Sequence, residues 1–444
     1  MSTIPQSPNA QVIEQVATAM QRVLTTAANE AALSSGWLRR QRRLTGASFV
    51  QAWVFASMDQ PAVTTEALAR MSGTVGTSVS GPGIVQRCTP EAATLLQTVL
   101  EAALGEIISA DPVWIPLLQK VTGVYVLDST VITLPAALAD RWRGCGGSGP
   151  QAALKIHTVW DLAHGTLACL DVGQGRTHDS ASAAQWTCWP AGSVRVTDLG
   201  YVNHTVFARL QAAGVLVVSR LKVGTRLTDA QGHPLDLLAT LRRHPSDAQD
   251  LTVHLDGMPW RVIAVPVPAA VAATRRSKLR EAAARRGQPV SSAQWNWAEW
   301  TVLLTNALPT HLSAVEVLTL YRARWQIELL FKLWKEHARV DEVRSQQPWR
   351  VACEVLAKLL AVVFAHWLLL ATAWAYPNRS IRKVAQGIQS YAVAFAFALV
   401  DRESLEALIR ALHRSLQTGS RLNRRKQRPA TFQLLASPHL VFLS

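Results

Sequence analysis

The chain is poor in cysteine and short of acid. Five cysteines, at 88, 145, 169, 188 and 353, are scattered over 444 residues, and none forms a CxxC pair. That spacing argues against a zinc ribbon and a disulfide-stapled scaffold, and it suits a reducing compartment. Charged residues make up only 17% against 49% hydrophobic ones, which excludes wholesale disorder. Acid is the scarcer sign: 30 Asp and Glu face 45 Lys and Arg, a formal charge of +15. Such a field favours polyanions, meaning nucleic acid or an acidic membrane surface. The excess is mostly arginine, whose planar fork suits phosphate better than lysine does. Long apolar runs are scarce too. Residues 359–376, LLAVVFAHWLLLATAWAY, are long enough to span a bilayer, but His366 interrupts them and no second such run exists. A buried core helix and no membrane are expected. The first residues, MSTIPQSPNAQVIEQ, lack the basic-then-apolar order of a secretory signal, so a cytoplasmic protein is expected.

Helical spacing governs residues 1–118. Residues 10–32 read as a helix stopped by Ser35-Gly36, with further helices near 46–58, 62–71 and 90–109. A Gly/Ser/Thr stretch from Gly73 to Gly83 breaks them, and Gly73–Arg87 gives a weak helix-turn-helix signal. From Val124 the period changes. VYVLDSTVITL reads as a buried strand, and ALKIHTVWDLAHGTLACLDVGQG as two strands with a turn at His164-Gly165. A helix over 178–188, the strand SVRVTDLG, the helix HTVFARLQAAG and the strand GVLVVSRL come next. Leading strands with interleaved helices predict an α/β fold with a mixed sheet over 119–221. Residues 222–306 read as a β-rich insertion, with a hairpin at Asp256-Gly257 and an arginine-rich helix. Residues 307–345 hold the most informative helix, and 346–444 are helical with a basic tail, RLNRRKQRP.

At about 100° per residue, Tyr321, Arg324, Glu328, Lys332, Lys335 and Arg339 fall on one stripe of the helix over 314–339. Ala323, Ile327, Leu330, Leu333 and Trp334 lie opposite and are expected to pack inward. One reading is an exposed face of i,i+4 ion pairs, Arg324–Glu328–Lys332. The other is a metal-binding carboxylate flanked by phosphate-gripping bases. Two aspartates favour the second. Asp128 is expected to end the strand VYVL and Asp198 the strand SVRVT. Carboxylates leaving strand ends can converge at one sheet edge. With a third from a packed helix they make an oxygen set of the kind Mg²⁺ takes. Two such ions about 4 Å apart activate an attacking oxygen and stabilise a leaving one.

Tyr321-x2-Arg324-x3-Glu328-x6-Lys335 resembles the YREK signature of bacterial cut-and-paste transposases, the insertion-sequence-four family of DDE transposases. V-L-D-S-T around Asp128 and D-L-G-Y from Asp198 are similar to that family's first and second acidic blocks. One departure is Ser129, where many relatives carry a second acid. The resemblance covers about 120–345. It implies an RNase H-like core in which Asp128, Asp198 and Glu328 hold two Mg²⁺ ions, with Mn²⁺ able to substitute. It implies nicking of transposon ends, attack by the freed 3′-hydroxyl, and a hairpin step in related enzymes. Tyr321, Arg324 and Lys335 would grip DNA near the cut, with Lys332 on the same stripe. Trp300 is the candidate to stack on a flipped base, with Trp295 and Trp297 close behind. The partners implied are double-stranded DNA, as terminal inverted repeats and target, and a second copy of the chain in a homodimer on DNA. The helices of 1–118 would read the ends.

Other basic clusters are expected to set affinity rather than sequence choice. They are Arg39, Arg40, Arg42 and Arg43; Arg275, Arg276, Lys278, Arg280, Arg285 and Arg286; and the C-terminal tail. His157, His178 and His204 read as structural, and Asp179 as a helix cap. The competing classes are a nuclease or resolvase with the same core, a DNA-binding protein without catalysis, and a membrane protein with a basic face.

Overall fold

The structure, a computed structural model, describes residues 10–40, 43–187, 189–343, 345–422 and 431–439. It divides into two compact units. The first comprises residues 1–114, 129–177 and 327–426; the second comprises 115–128, 178–326 and 427–444. Neither is continuous in sequence, so contacts partition the chain differently from the segments suggested by composition. Among the described residues, the strands form one eight-stranded mixed sheet in the order Leu167–Gln174, Ala152–Asp161, Val124–Leu134, Val194–Thr197, Leu216–Arg220, Trp300–Thr305, Met258–Pro266, Gln249–Leu255.

The first unit opens with helices α1 (Ala10–Arg22), α2 (Ala28–Ser34), α3 (Gly46–Asp59), α4 (Thr65–Thr74), α5 (Gly81–Val85) and α6 (Pro90–Leu104). Four starts are written in hydroxyl caps. Thr45, Thr64, Ser80 and Thr89 each accept a backbone N–H of the following turn. Between α1 and α2 the chain keeps turning as a π-helix, Val23–Ala27, where Thr25 donates to the Gln21 carbonyl at 2.6 Å. The long apolar run supplies the C-terminal half of α13 (Pro348–Thr372) and continues to Tyr376 beyond it; among the described residues this is the one helix long and apolar enough to cross a membrane. It is almost wholly buried and packs against α3 and α6. Inside it Lys358 and Glu354 form an ion pair at 2.8 Å, each 1% exposed. Helices α14 (Ile381–Ser390), α15 (Ala392–Ala398) and α16 (Arg402–Gly419) complete the helical part. Strands β2 (Ala152–Asp161) and β3 (Leu167–Gln174) form the expected hairpin. Its turn is fixed by Gly165 at φ 74°, whose carbonyl accepts from His366 at 2.6 Å.

The second unit holds β4 (Val194–Thr197), β5 (Leu216–Arg220), β6 (Gln249–Leu255), β7 (Met258–Pro266) and β8 (Trp300–Thr305). Strand β1 (Val124–Leu134) passes from this unit into the first after Asp128. Helices α7 (His204–Ala212), α8 (Leu237–Leu241), α9 (Ala269–Arg286), α10 (Ser292–Trp297) and α17 (Thr431–Ala436) also belong here. The β6–β7 hairpin turns at Asp256-Gly257, both with positive φ. The β-rich segment does not stand apart as a sheet of its own: β8 pairs with β5 and carries β7 and β6 outward. Arg261 locks it from inside, bonding Asp250 and the carbonyls of Ala307 and Leu312.

Two expectations change. Residues 178–187 give short 3₁₀ turns, Asp179–Ala181 and Ala183–Trp186, in place of a helix, and Cys188 lies outside the described residues. Ser182 between them accepts from the Ala184 N–H, a local bond that competes with helix. The helix over 314–339 is two helices, α11 (Ala314–Ala323) and α12 (Trp325–Glu336). Arg324 between them keeps helical angles, φ −50° and ψ −33°, so the interruption is a slip in the hydrogen-bond ladder.

Candidate functional site

Parallel pairing in step is what builds the site. In the second unit β1 pairs with β4 and β4 with β5, ending at Leu127↔Thr197 and Thr197↔Ser219. The next residues on the three strands are Asp128, Asp198 and Arg220. Charged side chains therefore sit side by side where the pairing gives out. One detail corrects the sequence reading. Asp128 does not end its strand, because β1 runs on to Leu134 through the β-branched stretch Thr130-Val131-Ile132-Thr133. Asp198 does leave its strand, and its Oδ1 accepts the Gly200 N–H at 2.9 Å.

The end of α11 closes over these groups. Arg324 Nη1 donates to Asp128 Oδ2 at 2.7 Å, with side chains only 15% and 17% exposed. The same guanidinium lies 5.8 Å from the Tyr321 ring centre. Burial raises the Tyr321 phenol above its ordinary value. Arg324 and Arg220 pull it down and Asp198 pushes it up, which places all four in one electrostatic neighbourhood. The phenol stays protonated at neutral pH and is available as a donor. Arg275 of α9 reaches the same region, donating to the Trp300 carbonyl at 2.8 Å and Thr301 Oγ1 at 3.0 Å. Burial lowers its pKa, and the nearby Arg220 charge adds to that.

Arg220 and Arg275 were not singled out individually by sequence reasoning. For Arg220 a signal existed, since VYVLD, VRVTD and LVVSR share one pattern of an apolar strand and then a charge. Asp179, read from the sequence as a helix cap, also approaches Asp198. A Cβ on Gly200 would lie 2.7 Å from Asp179 Oδ2 and 3.2 Å from Asp198 Oδ1, so both carboxylates crowd that glycine.

Glu328, Lys332 and Lys335 are on the part of α12 that belongs to the first unit. Glu328 is half-buried, Lys332 lies 3.5 Å from Glu336, and Lys335 donates to the Val131 carbonyl at 3.2 Å. Ile327, Leu330 and Trp334 are buried as expected, while Leu333 is only partly so. Arg39, Arg40 and Arg43 are exposed; Arg42 and most of the basic tail lie outside the described residues. Trp300 corrects an expectation. Its side chain is 3% exposed in β8, so the indole is core and offers no open face for a base. Trp295 is half-buried beneath Arg276 and Arg280, at 4.8 and 4.6 Å. His178 bonds Ser180, and His204 lies 2.9 Å from Asp256, so local partners account for both.

Among the described residues, no three His, Cys, Asp or Glu side chains form a group able to hold a metal ion. The donor chemistry of Asp128 and Asp198 nevertheless fits a hard divalent cation, which takes carboxylate oxygens. One of those oxygens, on Asp128, accepts from Arg324.

Residues 119–364 match the family model described as the transposase DDE domain. The transposase for insertion sequence element IS231F of Bacillus thuringiensis subsp. israelensis is 22% identical over 439 residues, covering 91% of each chain. That for IS1151 of Clostridium perfringens is 21% identical over 280 residues, 58% of each. InsL of insertion sequence element IS186A from Escherichia coli strain K12 is 29% identical over 248 residues, 53% of this chain and 63% of that one. The matched segment takes in Asp128, Asp198, Arg324 and Glu328 and more than half of the sequence, and the chain belongs to the DDE transposase family.

Proposed function

We propose that this transposase moves its element by cut-and-paste, through the YREK-type site of an RNase H-like core. The observation that carries the reading is the in-step exit of Asp128 and Asp198 from paired parallel strands, with Arg324 and Tyr321 beside them. Asp128, Asp198 and Glu328 are the acids assigned to the divalent ions, two of Mg²⁺ or Mn²⁺. Those ions, when bound, supply activation of the attacking oxygen and stabilisation of the leaving one.

The chain's own groups supply position. Asp198 is oriented by the Gly200 N–H, a charge-assisted bond that fixes its carboxylate. Arg324 and Lys335 bind the phosphates next to the cut, and Tyr321 donates its phenolic hydrogen to the DNA backbone. Lys332, Arg39, Arg40, Arg42 and Arg43, with α9, neutralise phosphates farther along the duplex. The helices of 1–118 read the terminal inverted repeats. A homodimer holds two ends, the protein works in the cytoplasm on the nucleoid, and a hairpin forms on the flanking or element strand.

The test is a duplex carrying the element's inverted repeats, incubated with the protein, Mg²⁺ and a target plasmid. The wild type nicks the ends and joins them to the target. Cutting without joining would favour a nuclease. Asp128→Ala, Asp198→Ala and Glu328→Ala should each lose at least about a hundredfold in cutting. End binding should survive, because it rests on the bases. Loss of binding in all three would make the acids structural.

A further inference from the structure

Arg324 has two possible partners of the same chemistry. Its guanidinium suits a carboxylate and a phosphate equally, since both present paired oxygens to its N–H fork. In the structure it is committed to the carboxylate: Nη1 sits 2.7 Å from Asp128 Oδ2, with both side chains more than four-fifths buried. It also leans on the Tyr321 ring at 5.8 Å, a contact that steadies the cation over the acid. Arg220 adds further positive charge around Tyr321. Asp128 therefore already carries a counter-ion, and among the described residues no three-acid group is assembled around it.

We propose that Arg324 is a latch on Asp128 that a DNA phosphate releases, so that the acid takes up a divalent cation only when DNA is in place. This rests on the reading of Asp128 as a metal ligand. A guanidinium and a divalent ion on one largely buried carboxylate repel each other, because solvent screens them poorly there. A phosphate arriving beside α11 offers Arg324 an alternative anion. The guanidinium then turns from Oδ2 to the phosphate, no bond other than hydrogen bonds changes, and Oδ2 loses its cationic partner. Arg324 is thus a positioning residue for Asp128 before it is a DNA contact. The free protein is kept from loading metal, and so from cutting, until a strand is gripped.

The experiment measures Mn²⁺ binding to the full-length protein by the electron paramagnetic resonance signal of the free ion. It is run with and without a duplex of the element's inverted repeat in which the cut-site linkage is uncleavable. Without DNA the wild type should bind Mn²⁺ weakly. Arg324→Gln should bind it about tenfold more tightly, the equivalent of roughly 1.4 kcal/mol. Arg324→Lys, which keeps the charge, should remain near the wild type. DNA should tighten Mn²⁺ binding to the wild type by a similar factor and change Arg324→Gln little. Equal Mn²⁺ affinity of Arg324→Gln and wild type without DNA overturns the latch. Asp128→Asn separates the two claims. If it abolishes Mn²⁺ binding while Arg324→Gln has no effect, the metal reading stands and the latch falls. If Asp128→Asn binds Mn²⁺ as the wild type does, both fall. Matching melting curves of the variants establish that each is folded.

Discussion

Gly200 shows how closely the groups around Asp198 are packed. The glycine donates its N–H to Asp198 and leaves no space for a side chain, since a Cβ there would press on Asp179 and Asp198. The two nearest atoms are carboxylate oxygens at side-chain ends, with Asp179 Cβ next at 3.3 Å, so a few tenths of an ångström of side-chain movement would admit the methyl. Gly200→Ala should therefore leave the melting temperature nearly unchanged while moving the Asp198 carboxylate. Displacements of ~1 Å in catalytic groups cost on the order of a hundredfold in rate. Single-turnover cutting compared with a thermal melt checks this; an unchanged cutting rate would mean that Asp198 tolerates the shift. At this scale the positions of the strand acids were legible, and β1 and β4 place Asp128 and Asp198 in step. Asp128 and Asp198 could be picked out because each follows a run of β-formers, and Arg324 because its spacing from Tyr321 puts the two on one helical face. Arg220 was not, although LVVSR repeats the same apolar-then-charged pattern, and Asp179 read only as a helix cap, because a carboxylate that approaches through the gap left by a glycine has no signature in its own local sequence. Trp300 failed for a related reason: an aromatic in a strand reads alike whether it faces solvent or core, and only the sheet decides.

At the scale of elements, α12 and the turn after it depend on the core of the first unit. Beyond α12 the chain reverses through Arg339, which has φ 48° although it is not glycine. Lys358 of α13 donates to the Arg339 and Glu342 carbonyls at 3.1 and 2.6 Å while pairing with Glu354. A fully buried lysine thus ties the end of the Glu328 helix to the centre of the bundle. Lys358→Met strands the Glu354 charge and should cost about 3–5 kcal/mol, read by urea unfolding. The double variant Lys358→Met, Glu354→Leu removes the stranded charge but not the loss of the two carbonyl bonds. Its stability should lie between those of the wild type and the single variant, and a double variant no better than the single would show that the pair is not coupled. The long apolar run correctly read as a core helix on the strength of His366 and its isolation, whereas the lysine inside it gave no hint of its partners. Hydrogen bonds to carbonyls of a distant loop are set by tertiary packing and leave no pattern in the sequence.

For the whole molecule, the +15 charge is the dominant fact, and much of it is carried on open surface. Helix α9 shows this most clearly. Of its residues only Ala272 is buried, and Lys278, Arg280, Arg285 and Arg286 all face solvent. If these groups lie along DNA, Arg280→Ala, Arg285→Ala and Arg286→Ala together should flatten the salt dependence of DNA binding. The slope of log K against log salt should fall by up to about 3, since each phosphate contact contributes about 0.9. An unchanged slope would place α9 off the duplex. The α/β class with a mixed sheet followed from alternation between strands and helices, whereas the order of strands in the sheet did not. The division into units did not, because each is assembled from three separate stretches of chain. Composition changes along a sequence mark contiguous segments, and a unit built from distant pieces leaves no such mark. The boundary inside β1 falls directly after Asp128, where nothing in VYVLDSTVITL changes character.

The claim on which the rest stands is that the acids at 128, 198 and 328 share divalent ions when DNA is bound. Iron-directed cleavage reads this without relying on activity. Fe²⁺ replaces Mg²⁺ in the protein–DNA complex, ascorbate and peroxide are added, and the polypeptide is cut beside the bound iron. The account predicts cuts next to Asp128, Asp198 and Glu328, all suppressed by excess Mg²⁺. Cuts at the two aspartates with the chain around Glu328 left intact would contradict it.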